Sequence, residues 1–335
     1  MKFPELKRTN MIDEAAFKHK PITILKAILI FVLVSLIAKA ISSTIYTLPA
    51  SISIILSEEY TALTDRLSSG AITVEEYMQS ITELEINIPW WTNYLYLFSG
   101  GALIAVAIFY CKKFEKRSVR SMGLRGKKSA LCEGLLGALV GFLLMGATVL
   151  LLTLFGKASI SFNNGIKPFW FIVTLVGVAL TSLGKELLLR GYFLTSLARD
   201  WKPTVALTSC VLVTVLYELL FEGGFTLVSF INFVLLTLLL CLLVLRRGSI
   251  IGAVSLHAMY IFTERCIFGP PSEVGFYQTL FNVNYDTSSI IVGKDALGVS
   301  ESILLTPFLL VAILLLALSK TNKKEESPIK IEYFE

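Results

Sequence analysis

The sequence predicts an all-α polytopic membrane bundle of about eight transmembrane helices, on three observations. Apolar runs of roughly 20 residues recur along most of the 335-residue chain, the length a hydrocarbon core about 30 Å thick requires of a helix. Charged residues make up only 16% of the chain against 55% hydrophobic, where a soluble domain carries about 25% charged. Lys and Arg gather in alternate gaps between the runs, as they do in cytoplasmic loops. Inside lipid every backbone group needs an internal partner, so runs of this length are read as helices.

The spans fall near residues 22–43, 93–111, 131–155, 168–189, 203–221, 228–245, 249–268 and 302–319. Lys2, Lys7, Arg8, Lys18 and Lys20 precede the first span. Ala38-Lys39-Ala40 resembles a signal-peptide cleavage site, but the long leading segment and the charges of Lys26 and Lys39 favour a retained anchor. The next loop is acidic, with Glu58, Glu59, Asp65, Glu75, Glu76, Glu83 and Glu85. Its residues 47–92 read as one or two amphipathic exterior helices, broken at Ser69-Gly70, with Trp90-Trp91 at the interface. Between spans two and three lie Lys112, Lys113, Lys116, Arg117, Arg120, Arg125, Lys127 and Lys128. Arg246 and Arg247 follow span six, and Lys320, Lys323 and Lys324 follow span eight. Eight spans with the N-terminus inside put every basic cluster on one side. The expectation is a multi-pass cell-membrane protein with both termini cytoplasmic.

Four regions follow from this reading: a cytoplasmic segment 1–21, two helices with their exterior segment over 22–130, a main membrane core over 131–319, and a charged, disordered tail over 320–335. The net charge of +5 sits in loops rather than along a groove, so no nucleic-acid partner is expected. The five cysteines Cys111, Cys132, Cys210, Cys241 and Cys266 show neither disulfide-framework nor zinc-site spacing. They read as small hydrophobes in helices.

Ionisable residues at membrane depth are costly and mark candidate functional positions. The fourth span ends in Lys185-Glu186 and Arg190-Gly191-Tyr192, the fifth carries Tyr217-Glu218, and the seventh carries His257 through Phe262, then Glu264-Arg265. Glu186 and Arg190 lie four apart and share a helix face, acid first, so they can pair. The apolar stretch continues past Arg190, so the helix can run on and hold Glu186 deep. Lys185 points about 100° away from Glu186 and needs an acceptor on another helix. Glu218 or Glu264 can supply it, with Tyr217, backbone carbonyls or snorkelling to the interface as alternatives. Of these, Glu218 is the pairing expected. The cluster reads either as interhelical ion pairs that pin the bundle or as the lining of a polar cavity.

These residues carry a resemblance. From about Leu131 to Phe276, and more loosely to Leu318, the chain resembles the CPBP family of membrane proteins, which includes the CAAX prenyl endopeptidases and the bacteriocin-processing Abi proteins. The family's E-E-x-x-x-R-G-Y motif appears as Lys185-Glu186 followed by Arg190-Gly191-Tyr192, and its F-x-x-x-H as Val213 through Tyr217. Asn232 through Leu245 with Arg246-Arg247-Gly248-Ser249 resembles a family helix and its R-x-G-S turn. H-x-x-x-N appears as His257 through Ile261, and Cys266 through Gly269 resembles the continuation seen in many bacterial members.

In active members the resemblance implies a glutamate and a histidine that activate water, and a second histidine with an asparagine that form an oxyanion hole. The water-activating glutamate is here Lys185, its histidine partner Tyr217 and the oxyanion asparagine Ile261, while His257 is retained. The candidate site residues are thus Glu186, Arg190 and His257, with Lys185, Tyr217 and Ile261 at degenerate positions and Glu218 a possible substitute. Zinc needs three or four ligands, and no helical spacing argues for them among Glu186, Glu218 and His257. No cofactor is expected. The leading expectation is a noncatalytic scaffold in contact with lipid and with a membrane or cell-surface protein partner. The alternatives are an intramembrane endopeptidase with a rearranged site and, with less support because no inverted repeat is visible, a small-molecule transporter.

Overall fold

A computed structural model describes residues 5–16, 21–86, 90–124, 128–221, 225–269, 278–293 and 299–319. The charged tail and His19 lie outside the described residues. The molecule is a helical membrane bundle. Among the described residues six helices are long and apolar enough to cross a bilayer: Ile24–Ile55, Tyr94–Lys113, Ala130–Leu154, Pro168–Asp200, Pro203–Leu220 and Leu227–Arg247. The two remaining expected spans are shorter. One is α12 (Ile251–Phe262), which runs on through a π-helical turn to Ile267, and the other is α13 (Leu305–Leu318).

Helix α1 (Asn10–Ala16) precedes the first span, and its Met11, Ile12 and Ala15 are fully buried. Thr23 caps the following helix, α2 (Ile24–Ile55), by accepting from the Lys26 amide. Its 32 residues reach about 48 Å, well beyond the expected end of the span at residue 43. The amphipathic pair beyond it is α3 (Glu58–Ser68) and α4 (Val74–Ile86), which turn at Gly70 with φ +70°. Thr73 and Glu76 form a reciprocal capping box at the start of α4. Helices α5 (Trp90–Phe98) and α6 (Gly100–Lys113) complete the second span.

Two seams of small residues bring helices together. Helix α7 (Lys128–Leu154) carries Gly137 and Gly141, a Gly-x-x-x-Gly pair. A Cβ at either would collide with the α12 backbone, at the carbonyls of Gly252 and Leu256. Close approach of this kind replaces the hydrophobic drive that lipid cannot supply. Helix α8 (Pro168–Glu186) meets α6 likewise, where a Cβ on Gly100 would lie 2.5 Å from Thr181 Cα. From α8 the chain continues through a π-helical stretch, Leu187–Leu194, into α9 (Thr195–Asp200) without a break. Helices α10 (Pro203–Phe221) and α11 (Leu227–Arg247) follow. Gly248, at φ +66°, ends α11 in the left-handed conformation.

The two ends of the bundle differ. At one end the 112–124 loop, α1, α9 and the 246–250 turn pack together, with Arg8 donating to the Arg199 carbonyl and the Ile250 amide to the Gly123 carbonyl. Arg117, counted among the loop charges in the sequence, is buried here. Its guanidinium bonds Glu115, the Ser121 hydroxyl and carbonyl, and Ser196. At the other end sits a feature the all-helical expectation lacks, a small sheet of β1 (Ala158–Phe162), β2 (Phe268–Gly269) and β3 (Phe281–Tyr285). The order is β1-β3-β2, with β1 antiparallel and β2 parallel to the central strand. Lys157 Nζ pairs with Asp286 at 2.9 Å beside it. Five-residue strands between long apolar runs leave almost no periodic signal.

Candidate functional site

The site lies inside the bundle where α2, α8, α10 and α12 meet. The wide turn at Leu187–Leu194 positions its first part. There the Thr195 hydroxyl donates to the Arg190 carbonyl five residues back, at 2.9 Å, in the register of a π-helix. Single π turns recur at functional sites because they re-aim side chains without ending the helix. This turn carries Arg190 back toward Glu186, and Arg190 Nη1 donates to Glu186 Oε1 at 2.9 Å. Both side chains are closed off from solvent, at 2% and 0% exposure. The expected continuation of the helix past Arg190 is observed.

His257 completes this part from α12, with Nδ1 2.8 Å from the same Glu186 Oε1. A carboxylate paired with a guanidinium accepts only, so the imidazole donates through Nδ1. That leaves Nε2 as the acceptor of the neutral ring and as a donor once the ring is protonated. Behind Arg190, Cys210 and Cys241 bring their sulfurs to 3.7 Å across α10 and α11. Cys111 and Cys266 are also buried and Cys132 is exposed, all as free thiols.

The second part is more open. Lys185 Nζ lies 3.8 Å from Glu218 Oε1, with side-chain exposures of 31% and 18%. This is the cross-helix pairing expected from the need of an intramembrane ammonium for an acceptor. Glu264, the other acceptor considered, instead takes the Ser300 amide at 2.7 Å. Tyr217 presents its ring to Lys39 of α2, whose Nζ stands 5.7 Å from the ring centroid, within cation–π range. Phe31 of the same helix packs edge-on to Tyr217 at 6.2 Å and against Phe193 at 4.4 Å. Ile261, one turn beyond His257, packs into the apolar core.

The structure thus joins Glu186, Arg190 and His257 in one cluster and Lys185, Glu218 and Tyr217 in a neighbouring group. Lys39 joins the second group although sequence reasoning used it only to judge cleavage of the first span. A lysine inside an apolar span was the available signal. Among the described residues no group of three His, Cys, Asp or Glu side chains is placed to hold a metal ion.

Residues 167–263 match the family model described as type II CAAX prenyl endopeptidase Rce1-like. Over that segment the chain is similar to the Rce1-like CAAX prenyl endopeptidases. No curated protein and no solved structure matches the chain. The Rce1-like segment begins one residue before α8 and ends one residue past α12, so it contains Lys185, Glu186, Arg190, Tyr217, Glu218, His257 and Ile261 but not Lys39 or Phe31. Within it Asn232 ties α11 to the sheet-side end of the bundle. Its amide donates to the Ser300 and Ser302 carbonyls, and its oxygen accepts from the Thr306 hydroxyl. Arg246, at the other end of that helix, donates to the Ala317 carbonyl at 3.0 Å and so caps α13. These two residues of the Rce1-like pattern serve the bundle rather than the cavity.

Proposed function

We propose that this chain is a noncatalytic member of the Rce1-like family that uses the retained bundle to bind a membrane or cell-surface protein partner. It sits in the cell membrane with the basic end and both termini in the cytoplasm. The observation that carries this reading is the Lys185–Glu218 contact at 3.8 Å. The position that resemblance assigns to a water-activating carboxylate holds a cation already engaged by the acid of the next helix. A general base needs a free lone pair within reach of the proton it takes, and an ammonium supplies none. Tyr217 is packed between Lys39 and Phe31. Ile261 has no polar atom to stabilise an oxyanion.

A second reading has an observation of its own. The Glu186–His257 contact is a carboxylate–imidazole pair, and the imidazole retains 15% exposure, so a rearranged endopeptidase would use His257 Nε2 as base. Against it, the Glu186 oxygen that meets the imidazole is also bonded by Arg190. The discriminating experiment places the purified protein in lipid vesicles with a prenylated C-terminal peptide and follows cleavage. The proposal expects the unmodified protein and His257→Ala to be equally inactive. Cleavage by the former that the latter loses would establish the endopeptidase.

A further inference from the structure

Helices α7, α11, α12 and α13 line a trench of about 850 Å³ that is partly open, with Leu136, Leu143, Val311 and Leu315 exposed along it. Leu136, Leu143, Leu239, Phe308 and Leu315 are among the side chains that line its length. Helices α7 and α12 start, and α11 and α13 finish, at the basic end, and the polar residues of the trench collect there. Two of these are already engaged: Ser249 Oγ accepts from the Ile251 amide, and Ser319 Oγ donates to the Leu316 carbonyl. The two charged ones, Glu133 on α7 and Arg247 on α11, form no ion pair with each other. Neither has a hydrogen bond to another described residue. Arg246 beside them is buried and turned to α13.

We propose that this trench binds one phospholipid whose head group carries both a phosphodiester and a primary ammonium. The physical argument starts from the trench's two-part lining. An apolar slot open to the bilayer takes acyl chains with no polar group left unpaired, whereas an extended peptide would bring unsatisfied backbone into it. At the mouth, a guanidinium matches a phosphodiester oxygen. The carboxylate on the facing wall disfavours a head with net negative charge and accepts from an ammonium that has N–H groups to give. A trimethylated ammonium has none. Among the described residues, the acid and the base across the mouth are therefore satisfied together by a zwitterionic head with a primary amine.

The test uses the whole chain purified in mild detergent, with native mass spectrometry against three phospholipids of identical acyl chains bearing ethanolamine, choline or glycerol heads. The expected result is retention of the ethanolamine-head lipid about tenfold above the other two, the size of one charge-assisted hydrogen bond. Glu133→Gln is expected to erase that preference while leaving retention of the choline-head lipid as before. Arg247→Ala is expected to weaken all three. Equal retention of the three heads by the unaltered chain overturns the proposal, and so does a preference that survives both substitutions. Exclusive occupation of the trench by a helix of a second protein chain also overturns it. The comparison of heads on the unaltered chain needs no variant, so it stands even where a substitution impairs folding.

Discussion

The Glu186–Arg190–His257 cluster and the Lys185–Glu218–Tyr217 group share adjacent residues of one helix, yet they differ in burial and in what each preserves. In the first, three side chains meet on one carboxylate oxygen at 2.8 and 2.9 Å, with the acid and the guanidinium sealed from solvent. In the second, the ion pair is longer and a third of the lysine side chain is accessible. Under the resemblance to the CPBP family, the closed half matches the residue types of that pattern and the open half does not. A buried charge cannot lose its partner cheaply, so the closed half is constrained by folding itself. The open half carries only the constraint of whatever chemistry it performs, and its lysine and glutamate satisfy each other's charge.

This contrast is broken or sharpened by substitution. The largest effect is expected for Glu186→Ala, which strands the Arg190 guanidinium where no water reaches it. Removing one partner of a buried pair costs about 3–5 kcal/mol, so the variant should lose most of its folded yield in detergent, as read by size-exclusion profile and thermal melt. Gly141→Ala comes next. A methyl there meets the Leu256 carbonyl and forces α7 away from the helix that carries His257, at a cost of about 1–3 kcal/mol. Lys185→Met should change stability by under about 1 kcal/mol, the range of partly exposed ion pairs. If Lys185→Met proved as damaging as Glu186→Ala, the distinction between the halves would fail.

The smallest effect calibrates the open half against an ion pair outside the membrane. A hydrogen bond from the Ser288 hydroxyl, and then Lys157, hold the Asp286 carboxyl below its usual range. A carboxyl lowered in this way adds stability that is present above its unfolded value near 4 and is lost as pH falls through the lowered folded value. Thermal melts of the purified protein should therefore show a slight loss below about pH 4 that Lys157→Ala reduces.

The parts of this architecture that were legible in sequence are those governed by local spacing or by cost. Glu186 and Arg190 were paired by their four-residue separation, and Lys185 was matched to Glu218 because an ammonium in lipid demands an acceptor. The basic clusters marked one end of the bundle by the same logic. What escaped depended on tertiary placement. Arg117 looks like any loop arginine until the Ser121 and Ser196 hydroxyls close over it. The sheet joins segments more than a hundred residues apart, such as Ala158 and Tyr285. Gly137 and Gly141 were readable as a Gly-x-x-x-Gly pair, but their facing surface on α12 was not. Lys39 meets Tyr217 only because α2 crosses the site helices at that level.

We propose that the closed half preserves the scaffold while the open half supports no hydrolysis. This claim is tested most directly by cleavage of a prenylated C-terminal peptide in lipid vesicles. The measurement compares the unaltered chain, Lys185→Glu alone, and Lys185→Glu combined with Tyr217→His and Ile261→Asn. The account predicts cleavage by the triple variant only, since the single change leaves Tyr217 and Ile261 without the groups a hydrolytic site requires. Cleavage by the unaltered chain at the rate of the triple variant would contradict it.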